Sequence, residues 1–394
     1  MFLTDDYAFL GIARRYLGLA RTSLGMEQAW VAEHTGRGQI VCAVDGVTDL
    51  IDLSEGMKVP CDCPLRVERQ GADGTTVVGS VPTRANDDSH PVDHVWRDVN
   101  SYASTPVRLA DGRIFGTLSC ASRDRRMDLG PSDARLLRAL AGALGEEITV
   151  FAARAESRDA RRAEIEQVIT GDGLHMVAQP IVRLDTMASV GFEALSRFDA
   201  SPFKPDRWFS DAASLGVGLP LELTAIRRGL ALLDQMPEES YISVNASPSA
   251  MCSEDLLDAL ATVDARRVVI ELTEHHSVSN YDSLRGRLAN IRGQGARVAV
   301  DDAGAGYASF RHILNLRPDM IKLDRGLISG ISTDRARQAL VSALMHFATG
   351  LGAVVVAEGI ETSEELECAA YLGVSLGQGY FIARPGPVPA LLAS

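Results

Sequence analysis

Eight short runs rich in β-branched and apolar residues recur at 176–182, 189–195, 241–245, 267–272, 297–301, 320–324, 353–357 and 379–383. Stretches with helical apolar spacing separate most of them, and this alternation predicts a β/α barrel. The first two runs are joined only by residues 184–188. A parallel crossover needs about a dozen residues, so these two are predicted to form an antiparallel hairpin. The predicted fold is therefore a modified (β/α)8 TIM-type barrel with one antiparallel strand.

What stands at the far end of each run matters most. The segment 297–306, RVAVDDAGAG, carries Asp301 and Asp302 side by side before a glycine-rich turn. Other runs end on Glu193, Asn245, Glu271 with Glu274, Lys322 with Asp324, and Glu358 with Glu361. In barrels, groups at the C-terminal strand ends gather at one mouth. Converging carboxylates repel one another and are costly to desolvate unless cations neutralise them. An oxygen-only donor set selects hard divalent ions, Mg²⁺ or Mn²⁺, over zinc. A set this large can hold two cations, the arrangement suited to in-line attack on a phosphodiester.

Composition sets the outer limits. At 394 residues the chain suits two domains, each able to bury its own core. With 39 Lys+Arg against 52 Asp+Glu, the formal charge of −13 opposes attraction to DNA, RNA or an anionic membrane surface. No signal peptide and no apolar run near the ~18 residues of a membrane span is evident, so a cytoplasmic location is expected. The six cysteines are scattered, with reduced thiols the default. Cys252 and Cys368 read as packing residues.

The region before about Glu147 has an α+β pattern. A helical period covers 7–24, a short strand 39–44, a hairpin 101–107 with 114–121 around Ala110 to Gly112, and an amphipathic helix 133–148 follows Pro131 and Ser132. This region, most clearly STPVRLADGRIFGTLSCASRDRRMDLGPSDARLLRALAGALGEEI from Ser104 to Ile148, resembles a GAF sensor domain. The resemblance implies an α+β domain that binds a small molecule, senses redox state or acts without ligand, and regulates its neighbour. Cys61 and Cys63 with His90 and His94 offer four zinc ligands at a spacing that fits no common zinc module. A redox pair is a second reading and cysteines lining the sensor pocket or its lid a third; the polar stretch 70–93 reads as a loop over that pocket. From 145 to 169 the chain is rich in Ala, Glu and Arg and lacks proline, predicting a continuous helix leaving the sensor and serving as a homodimer seam.

From about Glu164 onward, QPI at Gln179, EAL at Glu193, VNAS with Asn245, ELTE at Glu271 to Glu274, DD at Asp301 and Asp302, KLD at Lys322 to Asp324, AEGIE at 357–361 and QGY at Gln378 follow in order. The chain here resembles an EAL-type cyclic-di-GMP phosphodiesterase. The resemblance implies that Glu193, Asn245, Glu271 and Asp301 ligate one metal, with Asp301 bridging to a second near Asp302. It implies that Lys322 stabilises charge in the reaction and that Glu358 acts as general base or orders the water. Gln179, Leu195, Arg197, Asp324 and Gln378 would contact substrate, Glu274 would brace the loop after the fifth strand, and Glu361 would support the site from behind. The family pattern makes no use of His275 and His276. The implied domains are 1–150 as GAF-like sensor, 151–165 as helical linker and 166–394 as the EAL domain. One departure stands out: after the paired acids this chain reads Ala303, Gly304, Ala305, Gly306, Tyr307, Ala308, Ser309, without the family's aromatic and hydroxyl residues. The expectation is an enzyme dependent on its sensor; the alternative is a catalytically silent cyclic-di-GMP receptor signalling through a partner.

Overall fold

A computed structural model describes residues 7–35, 38–47, 49–59, 74–78, 98–199, 203–272, 281–303 and 307–393. The chain divides into two compact units, Met1–Arg158 and Asp159–Ser394.

In the first unit, helix α1 (Tyr7–Leu24) precedes strands β1 (Gln28–Thr35), β2 (Gly38–Gly46), β3 (Lys58–Val59), β4 (Thr76–Val78), β5 (Ser101–Arg108) and β6 (Ile114–Ser122). They form one sheet in the order β3-β2-β1-β6-β5-β4. Strand side chains alternate between faces, so β1 sends Ala29 and Val31 one way and Trp30 and Ala32 the other. The first face packs on α1 through Phe9, Ala13 and Leu17, and on the long helix α2 (Pro131–Thr170) through Leu137, Leu144 and Ile148. Gly145 is what lets α2 approach β5, since a Cβ there would sit 1.9 Å from the Arg108 carbonyl oxygen. The second face is covered by Leu50, Ile51 and Leu53 around Trp30 and Tyr102. The helix continues without a break through the predicted linker, and the division between the two units falls within it.

The second unit contains β7 (Leu174–Arg183), β8 (Ser189–Phe198), β9 (Tyr241–Ala246), β10 (Val268–Leu272), β11 (Arg297–Ala303), β12 (Met320–Leu323), β13 (Val354–Ala357) and β14 (Leu376–Gly377). They close into a barrel in the order β10-β11-β12-β13-β14-β7-β8-β9. Strand β7 alone runs against both neighbours, β8 and β14, while every other pairing is parallel. The short β7–β8 connection imposes this hairpin, as its length predicted. Helices outside the barrel bury apolar faces against the strands, two of the larger ones being Gly218–Leu230 and Arg335–Leu351.

One expected strand is displaced. The run 379–383 is a turn, in which the N–H groups of Ile382 and Ala383 donate to the Gly379 carbonyl, and the eighth strand is the two-residue β14 just before it. The reason is local: Phe381 N–H donates to the Ile360 carbonyl, and a Cβ on Gly379 would lie 2.1 Å from that carbonyl oxygen. The run's apolar composition resembles a strand, but its aromatic residues are half exposed at the barrel's edge.

Candidate active site

The barrel interior is built by a two-residue step. Ile181, Tyr241, Val269, Ala299, Met320 and Val356 fill its lower layer. Two residues away along the same strands stand Gln179, Ser243, Glu271, Asp301, Lys322 and Glu358, and β8 adds Glu193. Period-two alternation therefore stacks a polar layer directly above an apolar one.

Lys322 is the centre of that layer. Its side chain is 1% exposed, and its Nζ lies 2.6 Å from Glu358, 2.8 Å from Glu271, 3.3 Å from Asp301 and 3.4 Å from Glu193. Burial by itself would push the ammonium's pKa down, but Asp301, Glu193, Glu271 and Glu358 together hold it well above the ordinary lysine value. One cation faces four carboxylates, so the cluster carries excess negative charge. On the acids, burial above all raises Glu271 to about 8 despite Lys322 and raises Glu358 well above its ordinary range, with the negative charges of Asp301 and Glu193 adding to both.

The acids are held in place by amides. Asn245 donates to one Glu193 oxygen at 3.2 Å and Gln378 to the other at 2.6 Å. The same Gln378 nitrogen donates to Gln179 at 2.9 Å, and Gln179 donates to the Ala383 carbonyl at 3.0 Å. Asp302 has φ +54°, and the β11–β12 register shifts between Val300 and Ala303. This left-handed turn is uncommon for a non-glycine residue. Here it lets two consecutive carboxylates share one rim: carboxylate oxygens of Asp301, Asp302 and Glu358 all lie within 4.8 Å of one another. Asp324 caps the turn at Arg325–Ile328 by accepting from Gly326 N–H at 2.8 Å.

These groups border a cavity of about 300 Å³. Gln179, Glu193, Asp301, Asp302, Asp324, Glu358, Glu361 and Gln378 from the sequence reading line it together. Lys322 and Glu271 are fully buried beneath, and Asn245 reaches the site through Glu193. Leu195 and Arg197 lie farther along β8 and are not in the lining; the Arg197 guanidinium donates to the Ser196 carbonyl at 2.8 Å. Glu361 pairs with Arg325 at 2.9 Å, and its N–H is held by the buried Glu365 at 2.8 Å. Glu274, His275 and His276 lie outside the described residues, as do Cys61, Cys63, His90 and His94. Arg325, Gly359, Gly379 and Tyr380, which were not among the predicted site residues, also line the cavity. Arg325 directly follows KLD and Tyr380 closes QGY, so adjacency to a motif was the available signal.

The donor set fits a hard divalent cation. It offers carboxylate oxygens without His or Cys, carries excess negative charge, and includes a buried Glu271 Oε1 with no hydrogen-bond partner among the described residues.

Fold and site together define a closed β/α barrel with an acidic cavity at the ends of its strands. Residues 161–385, more than half of the chain, match the EAL domain family, and the chain belongs to that family. Residues 8–148 match the GAF domain. The chain is 26% identical over 237 residues to the cyclic di-GMP phosphodiesterase PdeF of Escherichia coli K12, a match covering 57% of this chain and 31% of that protein. It is 29% identical over 228 residues to the cyclic di-GMP phosphodiesterase PA2567 of Pseudomonas aeruginosa, covering 55% of this chain and 39% of that protein. The chain thus spans well under half of these relatives' length. A solved manganese and cyclic di-GMP complex of Klebsiella pneumoniae BlrP1 superposes with a TM-score of 0.50 at 30% identity, covering 54% of this chain and 56% of that one.

Proposed function

We propose that this protein hydrolyses cyclic di-GMP to linear pGpG at the barrel mouth, with two divalent cations, Mg²⁺ or Mn²⁺, under control of its GAF domain. The observation that carries the reading is the Lys322-centred carboxylate cluster opening into a cavity beside Gln179 and Gln378. Its similarity to curated cyclic di-GMP phosphodiesterases supplies the substrate.

When bound, the cations polarise the phosphate and acidify the attacking water. Glu193, Asn245, Glu271, Asp301 and Asp302 are assigned to holding them. Glu358, which lines the cavity 2.6 Å from Lys322, is assigned to take the proton of the attacking water. The water oxygen bonds to phosphorus, the bond to the 3′ oxygen breaks, and that oxygen takes a proton from solvent to leave linear pGpG. Lys322 balances the charge that grows on the phosphate and neighbouring acids. Gln179, Asp324 and Gln378 are assigned to the substrate, with Leu195 and Arg197 at the outer end of β8.

The GAF unit is proposed to take a small-molecule or redox signal. Cys42 and Cys120 do not suit the redox role, because burial pushes both thiols up to about 12. The chain is proposed to act as a cytoplasmic homodimer. Val150, exposed on α2 within residues 145–169, supports that seam, and no helix among the described residues is long and apolar enough to cross a membrane. The second reading is a silent cyclic di-GMP receptor, for which the altered sequence after Asp302 would account.

Cyclic di-GMP turnover by the purified protein with Mg²⁺ or Mn²⁺, beside Glu193→Ala and Glu358→Gln, decides between them. Metal-dependent pGpG that both substitutions abolish supports the enzyme; tight binding without turnover supports the receptor. Sensor control is tested by deleting residues 1–158, which should change turnover at least about threefold; unchanged activity would refute it.

A further inference from the structure

Tyr380 stands at the cavity mouth with 52% of its surface exposed, lining the cavity beside Gln179, Glu193 and Gln378. The Arg384 guanidinium lies over its ring, 4.6 Å from the centroid, yet Arg384 is not part of the lining. A tyrosine that served packing would bury its ring; this one is backed by a cation and presents itself to a polar cavity.

The ring is also held in place. Its turn is pinned by Phe381 N–H donating to the Ile360 carbonyl at 3.0 Å, and by Ile382 and Ala383 N–H groups donating to Gly379 at 3.1 and 3.0 Å. Below it, Gln179 ties the Ala383 carbonyl to the barrel interior at 3.0 Å. Gln378 spends its amide nitrogen on Glu193 and Gln179, leaving its buried Oε1 with no partner among the described residues. A flat aromatic surface backed by a cation therefore stands at the cavity mouth, the kind of face on which a nucleobase stacks.

We infer that Tyr380 is the stacking platform for one purine base of the cyclic dinucleotide and that Arg384 is a positioning residue that fixes the ring. This rests on the substrate reading above. A preorganised aromatic face contributes to nucleotide affinity and leaves the chemical step to the groups around Lys322.

The test is calorimetric titration of the full chain with cyclic di-GMP, with Ca²⁺ replacing Mg²⁺, beside steady-state turnover in Mg²⁺. Tyr380→Ala should weaken binding and raise KM by about tenfold, with kcat within about twofold of the parent. Tyr380→Phe should restore both, and Arg384→Gln should weaken binding by about threefold. A melting temperature unchanged in Tyr380→Ala would show that the fold is intact. Parent-like binding by Tyr380→Ala, or a fall in kcat with KM unchanged, overturns the inference while leaving hydrolysis standing. A parent that binds but does not hydrolyse, with Tyr380→Ala about tenfold weaker, upholds the platform and refutes the enzyme. A parent that neither binds nor hydrolyses removes the substrate reading and the platform with it.

Discussion

Lys322 is the residue on which the polar layer depends, because it is the cation common to four buried or half-buried acids. Replacing it with methionine leaves those carboxylates facing one another, and breaking a buried charge pair typically costs about 3–5 kcal/mol. Urea unfolding of Lys322→Met in EDTA should show a loss of that size; a change under about 1 kcal/mol would mean that the acids rearrange freely. His312 supplies a pH-dependent counterpart away from the site. It is buried, its Nδ1 lies 3.1 Å from the Tyr281 hydroxyl, and burial, reinforced by Arg311, pushes its pKa below the ordinary 6.5. The unfolded chain therefore binds this proton more readily than the folded one. Its contribution is present in full above about pH 6.5 and is lost as pH falls towards the depressed folded value. The fall in melting temperature between pH 7.5 and 5.5 should be smaller in His312→Asn than in the parent; an equal fall would show that the imidazole carries none of it.

Among the elements, the C-terminal half of α2 is fastened to the barrel's outer wall by aromatic contacts. Trp208 is 2% exposed and stacks on Phe198 at 4.5 Å with rings parallel within 1°. The Arg161 guanidinium on α2 lies over the Trp208 ring, 4.0 Å from its centroid, and pairs with Asp211 at 2.9 Å. Truncating a buried tryptophan costs about 3–5 kcal/mol, so Trp208→Ala should lower barrel stability by that much in chemical denaturation. A loss below about 1 kcal/mol would show that α2 is held elsewhere. The run ends were readable at this scale: Glu271 and Lys322 stand at the far ends of the apolar runs 267–272 and 320–324 without knowledge of the barrel. The turn at 379–383 was not readable, because its close contact with Ile360 depends on a neighbour about twenty residues away.

For the whole molecule, two units with separate cores need not unfold together. A cation that binds only the folded barrel stabilises it by about 2.7 kcal/mol at a hundred times its Kd. Calorimetry with Mg²⁺ or Mn²⁺ should therefore move the barrel's transition and leave that of the GAF unit in place, and Asp301→Asn should abolish the movement. A cation effect on both transitions alike would point to nonspecific ion binding.

By itself the sequence determined seven of the eight barrel strands, the antiparallel opening hairpin and the acidic residues at the strand ends, because run composition, connection length and residue chemistry are local properties. Only the tertiary structure decided how those groups meet. Closure of the barrel placed Lys322 among four acids, three on β8, β10 and β11 and Glu358 directly after β13, and the left-handed turn at Asp302 brought its carboxylate beside Asp301 and Glu358. Closure likewise left Leu195 and Arg197 out of the cavity lining and brought Arg325 and Tyr380 into it. Distances between side chains far apart in the chain are fixed by packing, which no local pattern encodes.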